Sequence, residues 1–233
     1  MSKDHIIETW INPLVCLEAD DRFMFNKPIQ LTTDAVLRYL AETDKGVPNI
    51  DEMKANYARV STNITKLFAV PAEVMILSKI IRPLKHALGY FMIGNYLESI
   101  AMCGMVSEMA AVFLFQINEL SIDGKSINNE KQASEALEEF ERTPQSVRTQ
   151  KLLNWNLIDE ETKIKFDEIA KKRNIYLHRI SANEDDIDKV AATTFNNILD
   201  IILSITGLGI GQPGKMILNP KILVYLQKKN LLS

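Results

Sequence analysis

Apolar residues recur at spacings of three and four along most of the chain, which is the pattern of helices that bury one face. The pattern predicts an amphipathic helix over residues 51–70, a long apolar helix over 88–117 and an acidic amphipathic helix over 130–142. Runs in which apolar and polar residues alternate, as in half-buried strands, are scarce. The sequence therefore predicts an all-α fold with a four-helix core over about residues 86–206.

Proline and capping residues predict where several helices begin and end. Pro71 suits a first helical turn, whereas Pro83 is predicted to kink or end the same helix. Thr143 is a predicted N-cap, with Pro144 at the first helical position after it. Asp159 is the predicted N-cap of the next helix, whose first turn is acidic.

The last third of the chain adds one long helix and a tail. Ser181 and Glu184 have the spacing of a capping box, and the helix that they open is predicted to run to about residue 206. Residues 207–214, "GLGIGQPG", follow a helix instead of a strand, so they are interpreted as a helix C-cap and loop, not as a dinucleotide-binding motif. The pattern over 219–229 predicts a short final helix.

The chain divides into three predicted segments. Residues 1–85 are an N-terminal helical extension of unassigned role. Within it, residues 5–17 form a short helix or an irregular apolar arm, 20–30 a loop or extended chain, and 32–43 a short helix. The helical bundle follows, and residues 207–233 form a C-terminal loop and a short helix.

Composition supports a helical protein with a local and not a global charge signal. The chain has 233 residues, of which 46% are hydrophobic, enough for one large domain or one domain with an appendage. It has 9 glycines and 8 prolines, and this scarcity favours helices over sheets. The formal net charge of −3 does not mark a nucleic-acid binder, so an anion-binding site must come from a local cluster of cations.

Two features bear on the cellular compartment. Cys16 and Cys103 lie in apolar surroundings without CxxC spacing, so each is interpreted as a free buried thiol and not as a zinc ligand or half of a disulfide. The first ten residues, "MSKDHIIETW", lack the apolar core of a signal peptide. The sequence therefore predicts a cytoplasmic protein in a reducing compartment.

One apolar stretch is long enough to be considered as a membrane span. Residues 90–117 contain Asn95, Glu98 and Glu108, and a carboxylate near the midpoint of a bilayer is costly. The flanking residues also lack a strong basic bias. The stretch is therefore predicted to be the central helix of a soluble bundle, with no membrane partner.

No pattern in the chain indicates a metal or a cofactor. The histidines His5, His86 and His178 are scattered, and HExxH, GxSxG and Walker-type motifs do not occur. Four methionines at near-helical spacing are interpreted as core filler: Met92, Met102, Met105 and Met109. The sequence predicts no metal site and no cofactor.

Glu108 is the most informative acidic residue, because its neighbours in the helix are apolar on most sides. A buried carboxylate must be paired, protonated or hydrogen-bonded. Two interpretations stay open. Glu108 pairs with a cation on a facing helix as part of a site, or it makes a structural ion pair or a helix contact at the surface.

The predicted helix over residues 160–179 carries an arginine on its inward side. Six of its residues share one broad face: Phe166, Ile169, Ala170, Arg173, Tyr176 and Leu177. An inward arginine needs an anionic partner, and Glu108 or Glu98 could supply it. The sequence therefore predicts that Arg173 faces one of these carboxylates.

The same helix ends in a cluster of cations around one histidine. Asn174 and His178 are four residues apart and project together from the neighbouring face, and Lys171, Lys172 and Arg179 add positive charge nearby. Such a cluster attracts phosphate and holds one group that exchanges a proton near neutral pH.

The spacing of Arg173 and His178 sets a geometric condition. Residues five apart lie about 140° apart around an α-helix, so these two side chains cannot face one small point squarely from a regular helix. Either the helix loosens near His178, or the site is completed across a symmetric dimer.

"RNIYLH", residues 173–178, resembles the R-N-x-x-x-H motif of the HEPN superfamily, the higher eukaryotes and prokaryotes nucleotide-binding domains. The context is similar as well. In a bacterial branch of that superfamily, an apolar helix with a mid-helix glutamate precedes leucines, Ile-Asp-Glu and a helix that ends in Arg-Asn…His. This chain has "GMVSEMAA" followed by "KLLNWNLIDEETKIKFDEIAKKRNIYLH", and the resemblance covers about residues 86–206.

The resemblance implies an up-and-down helical bundle that commonly forms a homodimer. It implies a metal-independent endoribonuclease of a toxin–antitoxin, phage-defence or RNA-processing system, with RNA as substrate and a protein antitoxin as a further partner. The catalytic residues that it implies are Arg173, Asn174 and His178, with Glu108 as a supporting residue. The cation cluster itself predicts nucleic-acid contacts at Lys171, Lys172 and Arg179, and Tyr176 on the same helix is a further predicted supporting residue.

Three functions stay open at the level of the sequence. In the first, the 2′-hydroxyl of RNA attacks the adjacent phosphorus, with His178 as general base or acid, Arg173 stabilising charge on the phosphoryl oxygens and Asn174 orienting the histidine or a phosphate. In the second, a non-catalytic helical dimer binds a partner protein or a nucleotide. In the third, Arg173 and Glu108 form a structural ion pair and His178 is a surface residue.

Overall fold

A computed structural model describes the backbone of residues 50–64, 75–178, 186–206, 209–212, 215–217 and 219–228. The described residues belong to one compact unit that spans residues 49–233. The predictions for segments 5–17, 20–30 and 32–43, for Pro71, for the Ser181–Glu184 capping box and for Arg179 lie outside the described residues.

The all-α fold is confirmed. Eight helices lie in the described part of the chain: α1 Ile50–Ile64, α2 Met75–Ile93, α3 Tyr96–Asn118, α4 Glu130–Arg142, α5 Gln145–Asn154, α6 Glu160–His178, α7 Ile187–Thr206 and α8 Pro220–Lys228. The acidic helix predicted over 130–142 and the short helix predicted in the tail are both present as α4 and α8.

The most apolar helix, α3, lies at the centre of the bundle. It packs against α2, α6 and α7 along its length and also contacts α4, α5 and α8. Ile100, Cys103, Val106 and Ala110 of α3 are fully buried. Helix α1 completes the bundle by packing against α2 and α7.

Helix α3 would also suit a membrane span by length and composition alone. Most of its apolar surface is buried against other helices of the bundle, as in the core helix of a soluble protein. A single helix of this kind is weak support for a membrane protein.

The prediction of a single helix over residues 88–117 is wrong, because this stretch is divided between the end of α2 and α3. Gly94 adopts a φ of 88°, a left-handed conformation that glycine enters without steric cost. The amide of Asn95 donates to the carbonyl of Tyr90 at 2.8 Å, which closes the end of α2. The apolar residues 91–93 before Gly94 and Tyr96 and Leu97 shortly after it hide this turn from a hydrophobicity pattern.

Pro83 does not end a helix, since α2 runs through it to Ile93. Proline removes one backbone hydrogen bond from a helix interior. Pro83, Leu84 and Ala87 are all buried, so packing compensates for the missing bond. The predicted boundary between residues 85 and 86 therefore falls within a continuous helix.

Two predicted helix caps have different outcomes. Asp159 caps α6 as predicted, because its Oδ1 accepts from the amide of Thr162 at 2.8 Å. Thr143 is not the N-cap of α5, so that prediction is wrong. It ends α4 instead, where its Oγ1 donates to the carbonyl of Glu139 at 3.1 Å, and Pro144 takes the N-cap position of α5.

The loop predicted over residues 207–214 contains a strand, and a second strand follows it. β1 Gly209–Gln212 pairs antiparallel with β2 Lys215–Ile217, with Gly209 opposite Ile217. Strands of four and three residues are too short to show an alternating pattern, and glycines occupy half of the first. This correction adds a small hairpin to an otherwise helical chain.

Candidate functional site

Helix α6 carries the residues that the sequence singles out. Its inward face begins in the core, where Phe166 and Ile169 are fully buried. Burial of this face then declines toward the end of the helix. Tyr176 is half-buried and packs against the core, whereas Leu177 is 38% exposed, so the prediction that Leu177 faces inward is wrong.

The predicted pairing of Arg173 with a carboxylate of α3 is confirmed. The Nη1 of Arg173 donates to the Oε1 of Glu108. The other predicted candidate, Glu98, lies on an exposed position of α3. The Arg173 side chain is 23% exposed and that of Glu108 is 36% exposed, so the pair lies at the edge of the core and not inside it.

Gly104 allows the Arg173 side chain to lie against the backbone of α3. A Cβ atom on Gly104 would stand 2.4 Å from the Cδ of Arg173, a contact that real Cβ atoms essentially never make, and 3.0 Å from its Cγ. Gly104 is four residues before Glu108, one helical turn away on the same face. Gly104 was not predicted as a site residue, although a glycine inside a strongly apolar helix is a signal that points to it.

Asn174 holds the other side of the Arg173 guanidinium. Its Oδ1 accepts from the Nε of Arg173 at 3.3 Å and from the Nη2 at 3.2 Å. With Nη1 bound to Glu108, all three guanidinium nitrogens have a partner. Asn174 itself is exposed, so the network links the edge of the core to the surface of α6.

His178 is the last residue of α6 and is exposed. The α-helix extends without a break through His178, so the predicted loosening of the helix before it is not found. Arg173 and His178 therefore stay about 140° apart around the axis, and Asn174 lies one turn before His178. The completion of the site by a second chain stays a prediction.

The predicted nucleic-acid contacts do not converge on Arg173. Lys171 is exposed, whereas Lys172 lines a shallow cavity between α6 and α7 together with Glu168, Lys189 and Asn197. Arg173 instead faces α3. The structure brings Arg173, Asn174 and Glu108 together and leaves Lys172 on a different side of the helix.

Arg148 is a further member of the site and was not predicted from the sequence. It lies on α5, is only 7% exposed, and its Nε has no hydrogen-bond partner among the described residues. Burial lowers the pKa of its guanidinium, the carboxylates of Glu108 and Glu141 raise that pKa, and the charge of Arg173 lowers it. Leu152, four residues later and fully buried, is the signal in the sequence that this face of α5 points inward.

Helix α5 is fixed next to the site by a side-chain hydrogen bond. The Nε2 of Gln145 donates to the Oγ of Ser107 at 2.8 Å, and Ser107 is the buried residue before Glu108. Arg148 follows Gln145 by one turn. Three helices, α3, α5 and α6, therefore meet around Glu108.

Within the described residues, no group of three His, Cys, Asp or Glu side chains is arranged to hold a metal ion. Comparisons of the chain with protein-family models, with curated proteins and with solved structures found no match. The resemblance to the HEPN superfamily therefore stays a prediction that rests on residues 173–178 and the helices before them.

Proposed function

We propose that the protein is a metal-independent endoribonuclease of the HEPN type. One observation carries the proposal: a guanidinium oriented by Glu108 and Asn174 lies at the edge of the core, with an exposed histidine one turn after Asn174. This arrangement supplies a cation for a phosphate and a proton-transfer group that solvent and substrate reach.

The proposed reaction is an internal transfer within RNA. His178 accepts the proton of the 2′-hydroxyl, whose oxygen bonds to the adjacent phosphorus as the bond to the 5′-oxygen breaks. The products are a 2′,3′-cyclic phosphate and a 5′-hydroxyl, which receives a proton from an imidazolium or from water. Arg173 stabilises the charge that develops on the phosphoryl oxygens, and Asn174 orients the guanidinium.

A two-fold homodimer is part of the proposal. The offset of about 140° between Arg173 and His178 favours a site to which two chains contribute. Met105 of α3 and Leu177 of α6, each 38% exposed, place apolar surface beside the Arg173–Glu108 pair, as a dimer contact requires. Light scattering at micromolar concentration is expected to give twice the mass of the chain, and a monomer there would contradict this arrangement.

The cellular setting follows from the same proposal. The substrate is RNA in the cytoplasm, and the system is one of toxin–antitoxin, phage-defence or RNA-processing type. An antitoxin protein that covers Arg173 and His178 would be a further partner.

Cleavage of RNA in the presence of a chelator tests the proposal. We expect His178→Ala to lower the cleavage rate by about a hundredfold or more, because a general acid–base group is lost. The matched control is His86→Ala, since His86 is exposed on α2, away from the network around Arg173. Cleavage that persists in His178→Ala would show that another group transfers the proton.

A non-catalytic binding module is the second candidate, and one observation favours it. Each guanidinium nitrogen of Arg173 already donates to a protein oxygen, which leaves only one N–H of Nη1 and one of Nη2 for a phosphate in this conformation. Purified protein that binds RNA but leaves diverse RNAs intact, with or without divalent metal, would support this candidate.

A further inference from the structure

Arg148 is a buried cation without a bonded anion. It is 7% exposed, its Nε has no hydrogen-bond partner, and it takes part in no ion pair among the described residues. Arginine does not lose its proton in proteins, so the cost of burying its charge must be offset by an anion. A carboxylate close to Arg148 must therefore offset its buried charge.

Glu108 is the carboxylate placed to do so. The bond from Gln145 to Ser107 holds α5 against α3 at the level of Glu108, and Arg148 lies one turn after Gln145. Glu108 uses its Oε1 for Arg173, and its Oε2 accepts no hydrogen bond within the described ranges. Its side chain is 36% exposed, so packing leaves it room to rotate.

We propose that Arg148 and Arg173 share Glu108, whose carboxylate can move from Arg173 to Arg148. The transfer neutralises a buried cation and releases both N–H groups of the Arg173 Nη1 for a phosphate. The role of the freed Arg173 rests on the proposed function, whereas the sharing of Glu108 does not.

Arg148 is in this view a positioning residue, since it acts on the substrate through Glu108 and Arg173. Burial accounts for the lowered pKa of Arg148, and the opposing effects of Glu108 and Arg173 on it agree with a cluster of three interacting charges. Glu141 also raises the pKa of Arg148, but its position on α4 is exposed. Glu141 therefore provides a control carboxylate.

The test measures the unfolding equilibrium in urea for Arg148→Met, Arg173→Met and the double variant, without any RNA. If Glu108 moves to the remaining arginine in each single variant, it loses both partners only in the double variant. We then expect the double variant to shift the unfolding constant toward the unfolded state by about tenfold beyond the product of the two single effects.

Repulsion between the two arginines also produces non-additivity, so the same three variants are compared in a Glu108→Gln background. We expect the Glu108-dependent part of the non-additive change in the unfolding constant to vanish in the Glu108→Gln background. It should persist in a Glu141→Gln background. If the double variant does not fold, we add Glu108→Gln to it. Folding of this triple variant would likewise show that the unpaired Glu108 is what destabilises the double variant.

The sharing of Glu108 would be overturned if the non-additive change in the unfolding constant is the same with and without Glu108→Gln. It would also be overturned if adding Glu108→Gln to the double variant does not make that variant more stable. Neither outcome bears on whether the protein cleaves RNA. Conversely, a different outcome is a protein that shows the Glu108-dependent non-additivity and has no nuclease activity. That outcome would support the shared carboxylate and contradict only the ribonuclease proposal.

Discussion

The two halves of α6 differ in how their charges are arranged. In the first half, residues 160–170, Lys163 bonds to Asp167 at 2.7 Å, and Lys165 bonds to Glu161 at 2.9 Å and to Asp200 at 3.0 Å. Hydrogen bonds from these lysines to Asp167 and Glu161 raise the pKa values of both lysines. Each cation of this half has a carboxylate that fixes it.

In the second half, residues 171–178, the cations outnumber the carboxylates. Lys171, Lys172 and His178 make no ion pair with any described residue, and Arg173 takes a carboxylate from α3. Cations near the end of a helix also interact favourably with its dipole, so an excess of them has an ordinary structural explanation. What separates the two halves is the fixed guanidinium beside an exposed histidine, and that difference can be tested.

The largest expected effect comes from replacing one cation of each half of α6 with alanine and comparing the two variants. Arg173→Ala should lower RNA cleavage by about a hundredfold or more, since the charge that stabilises the phosphoryl oxygens is lost. Lys165→Ala should leave cleavage unchanged and lower the free energy of unfolding by less than about 1 kcal/mol. Cleavage rates and urea unfolding on both variants check this contrast, and equal cleavage by the two variants would remove it.

A smaller effect is expected at Gly104, where the Arg173 side chain contacts α3. Gly104→Ala places a methyl group where the Arg173 side chain lies, so we expect a loss of about 1–3 kcal/mol in unfolding free energy and a lower cleavage rate. The control is Gly89→Ala on α2, because the added Cβ there has no described atom within 4 Å beyond its own stretch of helix. That variant should be more stable by about 0.5–1 kcal/mol. A Gly104→Ala protein that gains stability to the same extent would show that Arg173 does not lie in this groove.

The smallest effect is expected at the start of α6, far from the proposed chemistry. Asp159→Ala should cost about 1 kcal/mol without changing cleavage, because it removes the N-cap, whereas Glu160→Ala, which removes an acid from the same turn without a cap, should cost less. Hydrogen bonds from Thr162 lower the pKa of Asp159.

The cap contribution of Asp159 is therefore present above its ordinary pKa of 3.8 and is lost as pH falls through the lower folded value. Urea unfolding across this range should show a steeper acid loss in the unaltered protein than in Asp159→Ala. A parallel pH dependence for the two proteins would mean that the carboxylate does not stabilise the helix.

The parts of the molecule that the sequence predicted are those that leave a local pattern. Amphipathic spacing located α4, α6 and α7, and a capping carboxylate located the start of α6 at Asp159. The Arg173–Glu108 pair was predicted because a charged residue on an apolar face requires a partner of opposite charge. Each of these signals lies within one helix or in one pair of helices.

The parts that were missed depend on several helices at once. The turn at Gly94 and Asn95 lies between two long apolar stretches, so the apolar pattern continues across it. Arg148 lies in a polar stretch of sequence, and it is buried because α3, α5 and α6 meet around it. Gly104 is visible as a glycine within the apolar α3, but the side chain from α6 that lies on it is not.

The thiol of Cys103 lies directly before Gly104 and is fully buried, which gives the centre of the bundle a chemical reporter. Burial raises the pKa of this thiol well above its ordinary value, so the folded protein holds almost no reactive thiolate at neutral pH. In a Cys16→Ser background, Cys103 is the remaining cysteine of the chain. Its rate of alkylation then measures how often α3 leaves the core next to Arg173, including partial openings that occur without global unfolding.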